Sequence, residues 1–290
     1  MSGKGVSVST GATPPSSPVW RRDKKISQTG QRRVGGQAGH SDKEFMTTLA
    51  KGLAVLGSFG RQRTTMTLSE AAQAADLTRA TARRVLHTLT QLGYVEQTGR
   101  QFALTPQVLD LGFRYLSAHS WIDRARPLLQ KLSEGLQESS SAGILQGSEI
   151  VYVARVPARH IMSAAISVGS RLPAFHSSMG RALLGFLNET EIWRRLKSAR
   201  IGSFTPFTIT DLQALFERIQ ADREQGFSIV DEELERGLRS MAVPVVRRDG
   251  EPFGAINLST HSTRTTRNEM RTYFLPELRG VADQIARAII

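Results

Sequence analysis

Apolar residues recur with a helical period from position 45 onward. Phe45, Leu49, Leu53 and Leu56 stand at i, i+4, i+8 and i+11, a spacing that gathers side chains onto one face of a helix. The pattern predicts a first helix with a single buried stripe, closed by Gly57 and Gly60. Thr67-Leu68-Ser69-Glu70 has the spacing of a capping box, so a short second helix follows, with Leu68, Ala71, Ala72 and Ala75 turned inward. Thr78 caps a third helix in which Ala82, Val85, Leu86 and Leu89 share a face, and Gly93 stops it. Tyr94–Gln97 and Gln101–Leu104 flank Thr98-Gly99-Arg100 and read as a β-hairpin. Three helices followed by a hairpin is the order of a winged helix-turn-helix.

Thr105-Pro106 opens a fourth helical segment carrying Val108, Leu109, Tyr115 and Leu116, and Trp121–Leu136 reads as a further helix with a bend at Pro127. Beyond it the texture becomes mixed. Ala142–Gln146 and Ile150–Arg155 flank Gly147-Ser148-Glu149 as a hairpin, and Ile161–Val168 reads as a third strand. Ser177–Phe186 and Asp211–Gln225 are expected helices, the second with a capping box at Thr210 to Gln213. Phe227–Val230, Ser240–Val246 and Phe253–Ser259 are expected strands, the last two joined through Asp249-Gly250. A helix from Arg267 to Ile290, interrupted at Pro276, closes the chain. The expected class is therefore α+β in two domains: an N-terminal winged helix-turn-helix and a C-terminal antiparallel sheet with flanking helices.

Charge sharpens this division. The net charge is +12 over 290 residues, but it is unevenly spread. Residues 1–43 hold 8 Lys/Arg against 2 acids, 44–105 hold 7 against 4, and 106–290 hold 23 against 20, so the basic excess lies where a nucleic-acid contact would be sought. Residues 1–43 lack periodic apolar positions and are expected to be a disordered basic tail, with Arg21-Arg22-Asp23-Lys24-Lys25 read as a solvated charge run. The expected boundaries are 44–105 for the winged helix-turn-helix domain, 106–120 for a linker helix and 121–290 for the C-terminal domain. The chain has no Cys and no run of 18 apolar residues, and nothing in its first residues resembles a signal peptide. A cytoplasmic protein without membrane association is expected.

If Ala82, Val85, Leu86 and Leu89 face inward, the opposite side of the third helix presents Arg79, Arg83 and His87 at steps of four, with Ala80, Thr81 and Arg84 nearby. Recognition helices enter the major groove N-terminus first. The expected contacts with an operator duplex are therefore Thr67, Thr78, Arg79, Ala80, Thr81, Arg83 and Arg84, with Arg100 on the hairpin turn reaching an adjacent groove or phosphate. Arg pairs bidentately with guanine, and the Ala or Thr methyl packs on a thymine methyl.

Two further stretches carry polar chemistry inside apolar surroundings. Ser177 and Ser178 stand where a helix begins, a place where unpaired N–H groups favour an anion. Asn257 and Ser259 share one face of a strand whose other face is Ile256 and Leu258, and buried polar groups need partners. An enzyme is not expected. His176 beside Ser177 and Ser178 does not make a triad, there is no Gly-x-Ser-x-Gly elbow and no His-Glu-x-x-His, and Asp231-Glu232-Glu233-Glu235 reads as an exposed acidic loop. No metal and no cofactor are expected.

The stretch from about Glu44 to Ile290 resembles IclR-family transcriptional regulators, and more closely their branch controlling protocatechuate, 4-hydroxybenzoate and β-ketoadipate catabolism. The resemblance is carried by Gly169 to Ala174, Ser177 to Leu184, Val230 to Val245 and Ala255 to Thr260. It implies a GAF-like effector domain, a small carboxylate effector, no enzymatic activity, and a homodimer or homotetramer on palindromic or repeated half-sites. It also implies a pocket lined by Ser178, Met179, Ser240, Asn257 and Ser259 with apolar walls at Leu172 and Leu238, to which the helix start adds Ser177. Many members of the family carry Lys at Arg181 and a smaller residue at Met179. Arg239 and Arg155 are two cations able to neutralise an acid, and Arg239, beside Glu232 and Glu233, is equally placed for an internal ion pair.

Overall fold

The computed structural model describes residues 44–60, 62–158 and 166–288. The tail expected over 1–43 therefore lies outside the described residues, as do positions 161–165 of the strand expected at Ile161–Val168. Its remaining residues, Ile166 to Val168, are not in a strand.

The N-terminal lobe contains α1 (Thr47–Leu56), β1 (Thr65–Thr67), α2 (Leu68–Ala74), α3 (Arg79–Gln91), β2 (Val95–Thr98) and β3 (Gln101–Leu104). Its core is Val55, Met66, Ala71, Ala75, Val85, Leu86, Leu89 and Val95. Thr67 caps α2 through a reciprocal capping box with Glu70, and Thr78 caps α3 by accepting from the Thr81 N–H. Gly93 ends α3 at φ +80°, and a side chain added there would collide with Gln107. The wing is a three-stranded antiparallel sheet in the order β1-β3-β2. Its first strand has no sequence signal, since three residues running straight into a capped helix are too few to show alternation.

The expected buried stripe of α1 is corrected. Phe45, Leu49 and Leu53 are 56 to 60% exposed, and the side packed into the lobe is Val55 with Ala54 and Leu56. Only the C-terminal turn of α1 meets the core, so the periodic stripe has no cover within one chain. The next helix, α4 (Val108–Ala118), likewise buries no residue and exposes Leu109 and Phe113.

After α5 (Ser120–Leu136), which continues through Pro127, the C-terminal lobe is built on a six-stranded antiparallel sheet. Its strands are β4 (Ser139–Gln146), β5 (Glu149–Val156), β6 (Arg171–Pro173), β7 (Ser228–Asp231), β8 (Leu238–Val246) and β9 (Pro252–His261), in the order β6-β5-β4-β9-β8-β7. One face carries the largest core, where α5 and the last helix cover Ala142, Ala154, Met241, Val243, Ile256 and Leu258. The other face receives the short helix α6 (Ser178–Leu184), which is buried along its whole length. Helices α7 (Glu189–Ser198) and α8 (Leu212–Gln225) close over α6 through Leu184, Ile192, Leu196, Leu215 and Ile219. Helix α7 was not expected, because only Ile192 and Leu196 mark its buried side among charged residues. The final segment runs as α9 (Arg267–Glu269), a π-helical turn over Met270–Phe274 and α10 (Leu275–Arg287). The break expected at Pro276 is thus absorbed one turn earlier, leaving Pro276 in the first turn of α10, where its missing N–H costs little.

Candidate functional site

The outer face of α3 is a row of cations. Arg79, Arg83, Arg84 and His87 are exposed, while Ala82, Val85, Leu86 and Leu89 are buried. None of Arg79, Arg83, Arg84 or Arg100 is in an ion pair among the described residues. A groove of about 600 Å³ between the start of α2, α3 and the wing brings Thr67, Arg79, Arg83 and Arg100 together, along with Ser69, His87 and Gln97. Ala80 and Arg84 are exposed beside this groove rather than lining it. The Thr67 and Thr78 hydroxyls already serve as helix caps, and Thr78 also donates to Thr81. Ser69 and Gln97 were not singled out by the sequence. Ser69 follows the Thr67 cap by two residues, and Gln97 is placed by the pairing of β2 with β3 at Phe102. The groove is concave and positively charged, with donors converging from two directions, an arrangement suited to a nucleic-acid backbone and base edges.

The second site lies on the α6 face of the large sheet. Cross-strand register aligns Arg155, Ser141, Asn257 and Ala242 in one row across β5, β4, β9 and β8. The next row holds Ser139, Ser259 and Ser240. Residues opposite one another on neighbouring strands share a face, so five polar side chains and one guanidinium form a common floor. Toward its other end the floor turns apolar, with Tyr152, Ala255, Met179 and Ala182 in one cluster and Leu172 packed against it. Gly143 supplies the space for Met179, whose sulfur would lie 3.1 Å from any Cβ added at that glycine.

Ser177, Ser178, Met179, Ser240 and Asn257 are buried, and Leu172, Leu238 and Ser259 are half-buried. The sequence reading missed Ser139 and Ser141, because β4 was expected to start at Ala142. Continuing the period-two alternation back from Gly143 would have reached them. Two buried atoms on this face have no hydrogen-bond partner: Ser178 Oγ and Asn257 Oδ1. Asn257 uses only its Nδ2, which donates to Ser259 Oγ at 3.2 Å. Ser177 differs from Ser178 in that its Oγ accepts from the Gly180 N–H and caps α6. One of the N–H groups expected there for an anion, that of Gly180, is therefore taken by the chain itself.

Behind α6 sits a buried ion pair. Arg181 is 1% exposed. It donates from Nη1 and Nη2 to the two Glu233 oxygens at 2.7 and 2.5 Å, and from Nε to the Phe175 carbonyl at 2.7 Å. His176 Nδ1 lies 3.6 Å from Glu233 Oε2. Burial acts to raise the Glu233 carboxyl, but the His176 ring and the Arg181 guanidinium outweigh it and hold the group below the ordinary carboxylate value. The expected exposed acidic loop is thereby corrected. Glu233 is buried, and Thr205 and Thr208 donate to the Glu232 and Glu233 carbonyls from an overlying loop. Arg239 makes its internal ion pair, but with Asp231 rather than Glu232 or Glu233, through Nε and Nη2 at 2.8 and 3.0 Å.

Among the described residues no helix is long and apolar enough to cross a membrane, and no group of three or more His, Cys, Asp or Glu is placed to hold a metal. A winged helix-turn-helix with uncompensated arginines, in one chain with a sheet that buries unsatisfied polar atoms, defines a DNA-binding regulator that answers to a small molecule. Residues 48–99 match the IclR helix-turn-helix domain, and residues 113–287 match the family described as bacterial transcriptional regulator IclR C-terminal. The chain belongs to the IclR family of bacterial transcriptional regulators.

It is 42% identical over 243 residues to the Pca regulon regulatory protein of Pseudomonas putida, covering 83% of this chain and 84% of that one. A transcriptional regulator from Rhodococcus sp. RHA1 shares the fold with a TM-score of 0.74 at 45% identity, covering 84% of this chain and 98% of that one. A double mutant of the inducer-binding domain of the transcription factor PobR from Acinetobacter, in complex with 3-hydroxybenzoic acid, matches with a TM-score of 0.54 at 27% identity. That match covers 57% of this chain and 96% of that one.

Proposed function

We propose that this chain is a cytoplasmic, sequence-specific regulator whose operator binding is tuned by a small carboxylate, a hydroxybenzoate or another acid of the β-ketoadipate route. The observation that carries the reading is the polar floor under α6, where Ser178 Oγ and Asn257 Oδ1 are buried without partners. Leaving such an atom unmet costs about 1–3 kcal/mol, and a ligand with matching polar groups removes that cost. The likeness to a Pca regulon regulator and to an inducer-binding domain holding a hydroxybenzoic acid supports the ligand class. Leu172, Met179 and Leu238 supply apolar walls and Ser178, Ser240, Asn257 and Ser259 the polar contacts, while Ser177 holds the α6 start in place. Arg79, Arg83 and Arg100 are the principal DNA contacts, with Ala80, Thr81 and Arg84 beside them and Thr67 and Thr78 fixing the helices that carry them.

A binding rather than catalytic role is supported by the state of the one tempting constellation. Ser177 Oγ is committed to its cap, Ser178 Oγ has no hydrogen-bond partner, and neither His176 nitrogen has one, so no hydroxyl is paired with a base. Thermal unfolding tests the reading. At saturating 4-hydroxybenzoate, protocatechuate or β-ketoadipate, at least one acid raises the unfolding midpoint of the wild-type chain, because a ligand that binds only the folded state stabilises it by mass action. Asn257→Leu and Ser178→Ala shrink that rise. No shift with any of the three acids would remove the effector reading.

We further propose a homo-oligomer, a dimer or a tetramer, on paired half-sites. Its support is the apolar stripe of Leu49 and Leu53 on α1 and of Leu109 and Phe113 on α4, exposed by 56 to 72%, an uncovered surface typical of association faces. A second copy of the same stripe is its natural cover, since twofold pairing presents like surfaces to each other. Sedimentation of the chain as a monomer at operator-saturating concentration would reject the assembly.

A further inference from the structure

Five arginines among the described residues are drawn out of full exposure: Arg155, Arg181, Arg195, Arg218 and Arg239. Four of them face a carboxylate. Arg181 has Glu233, Arg195 has Glu191, Arg218 has Asp222 and Arg239 has Asp231. Among the described residues Arg155 has none, and the hydrogen bond it makes there is a long contact of 3.4 Å from Nη1 to Ser141 Oγ. Taking a guanidinium out of water without a counter-charge is costly, and among the described residues that cost is met for the other four and not for Arg155.

The place of Arg155 makes the exception informative. It stands at one end of the row that continues through Ser141 to Asn257, on the face that also holds the unpartnered Asn257 Oδ1. Helix α6 carries the unpartnered Ser178 over that face, one turn before Ala182 in the cluster on the floor. No acidic side chain stands in either polar row. Backbones two strands apart are separated by about 10 Å, a span that a small acid with polar groups at both ends reaches across from the guanidinium to the Asn257 amide.

We infer that Arg155 is the anionic anchor of the pocket. Its guanidinium takes the carboxylate of the effector with Ser141 beside it, while Asn257 and Ser178 take a second polar group at the far end. The inference rests on the effector reading above and deepens it by assigning the two ends. The ligand class is a small acid with one carboxylate and a second polar group across an apolar body, the apolar part lying against Met179 and Tyr152. A guanidinium presents paired N–H donors in a plane that matches a carboxylate. Burial pulls Arg155 below its ordinary value, with the neighbouring Tyr152 opposing that shift, and the group is still protonated at neutral pH.

Calorimetric titration of the full chain tests the assignment, with 4-hydroxybenzoate, protocatechuate and β-ketoadipate as acids and 4-hydroxybenzamide as a neutral isostere. Wild type is expected to bind at least one acid, and to prefer 4-hydroxybenzoate over its amide if that is the acid bound. Arg155→Gln is expected to weaken binding of the acid by about ten- to a hundredfold, the range for a hydrogen bond to a charged group, and to erase any acid-over-amide preference. Arg155→Lys keeps the charge without the fork, so it restores part of the acid affinity and carries the test if the Gln variant does not fold. Acid affinity unchanged in Arg155→Gln, or no rescue of its loss by Lys, overturns the anchor while leaving the effector reading intact. Failure of every acid to bind wild type overturns both.

Discussion

Arg181→Ala is expected to destabilise the C-terminal lobe by about 3–5 kcal/mol, the range for removing one partner of a buried ion pair. Glu233 would be left 6% exposed with its bidentate partner gone and only the His176 ring beside it. The Phe175 carbonyl would lose its Nε donor as well. Denaturant unfolding followed through Trp121, itself 5% exposed in the main core, reads the loss directly. The effect also has a pH signature. Glu233 is held below its unfolded value, which lies near 4.5, so its contribution is fully present above that pH and disappears as pH falls through the folded value. The gap between wild type and Arg181→Ala should therefore narrow in acid. Replacing both partners, as Arg181→Met with Glu233→Leu, is expected to recover much of the loss, since apolar pairs of similar size often substitute for buried ion pairs. A loss below 1 kcal/mol in the single variant would show that the pair is not what holds α6 to the loop after β7.

Arg83→Ala is expected to cost operator binding about 1–3 kcal/mol if the guanidinium forks onto a base, a fall of roughly 5- to 150-fold. The side chain lines the groove between α3 and the wing and is in no ion pair among the described residues. Its removal therefore has no compensating gain within the free protein. Fluorescence anisotropy with labelled operator, repeated over a salt series, separates the two modes of contact. A base contact relaxes sequence preference and leaves the salt slope nearly unchanged, whereas a phosphate contact weakens all sequences alike and lowers the slope by about one. Unchanged affinity on every sequence would remove Arg83 from the interface.

The elements of the N-terminal lobe were legible because each has a local cause: capping residues at Thr67 and Thr78, a period-consistent face at Ala82 to Leu89, and Gly93 at positive φ. What was not legible there depends on neighbours. The Phe45, Leu49 and Leu53 stripe has the correct helical period, yet period alone does not reveal whether the covering surface belongs to the same chain. In the C-terminal lobe the alternation at Ile256 to Ser259 announced a polar face, and the register of β4 against β9 and β5 supplied its other members. Ser139, Ser141 and Arg155 gain meaning only once that register aligns them with Asn257 and Ser259. The burial of Glu233 was hidden for a similar reason. A run of acidic residues reads as solvent-facing until Arg181, 52 positions earlier, is placed against it.

A ligand in one lobe that alters the other's hold on DNA does so through a coupling free energy between the two sites. Operator affinity measured by anisotropy, without ligand and at saturating concentration of whichever acid stabilises the fold, tests it most directly. A coupling of 1–3 kcal/mol, in either direction, corresponds to a change of about 5- to 150-fold, and that is the result expected. An acid that binds tightly while affinity for the operator and its bending stay the same would contradict the account.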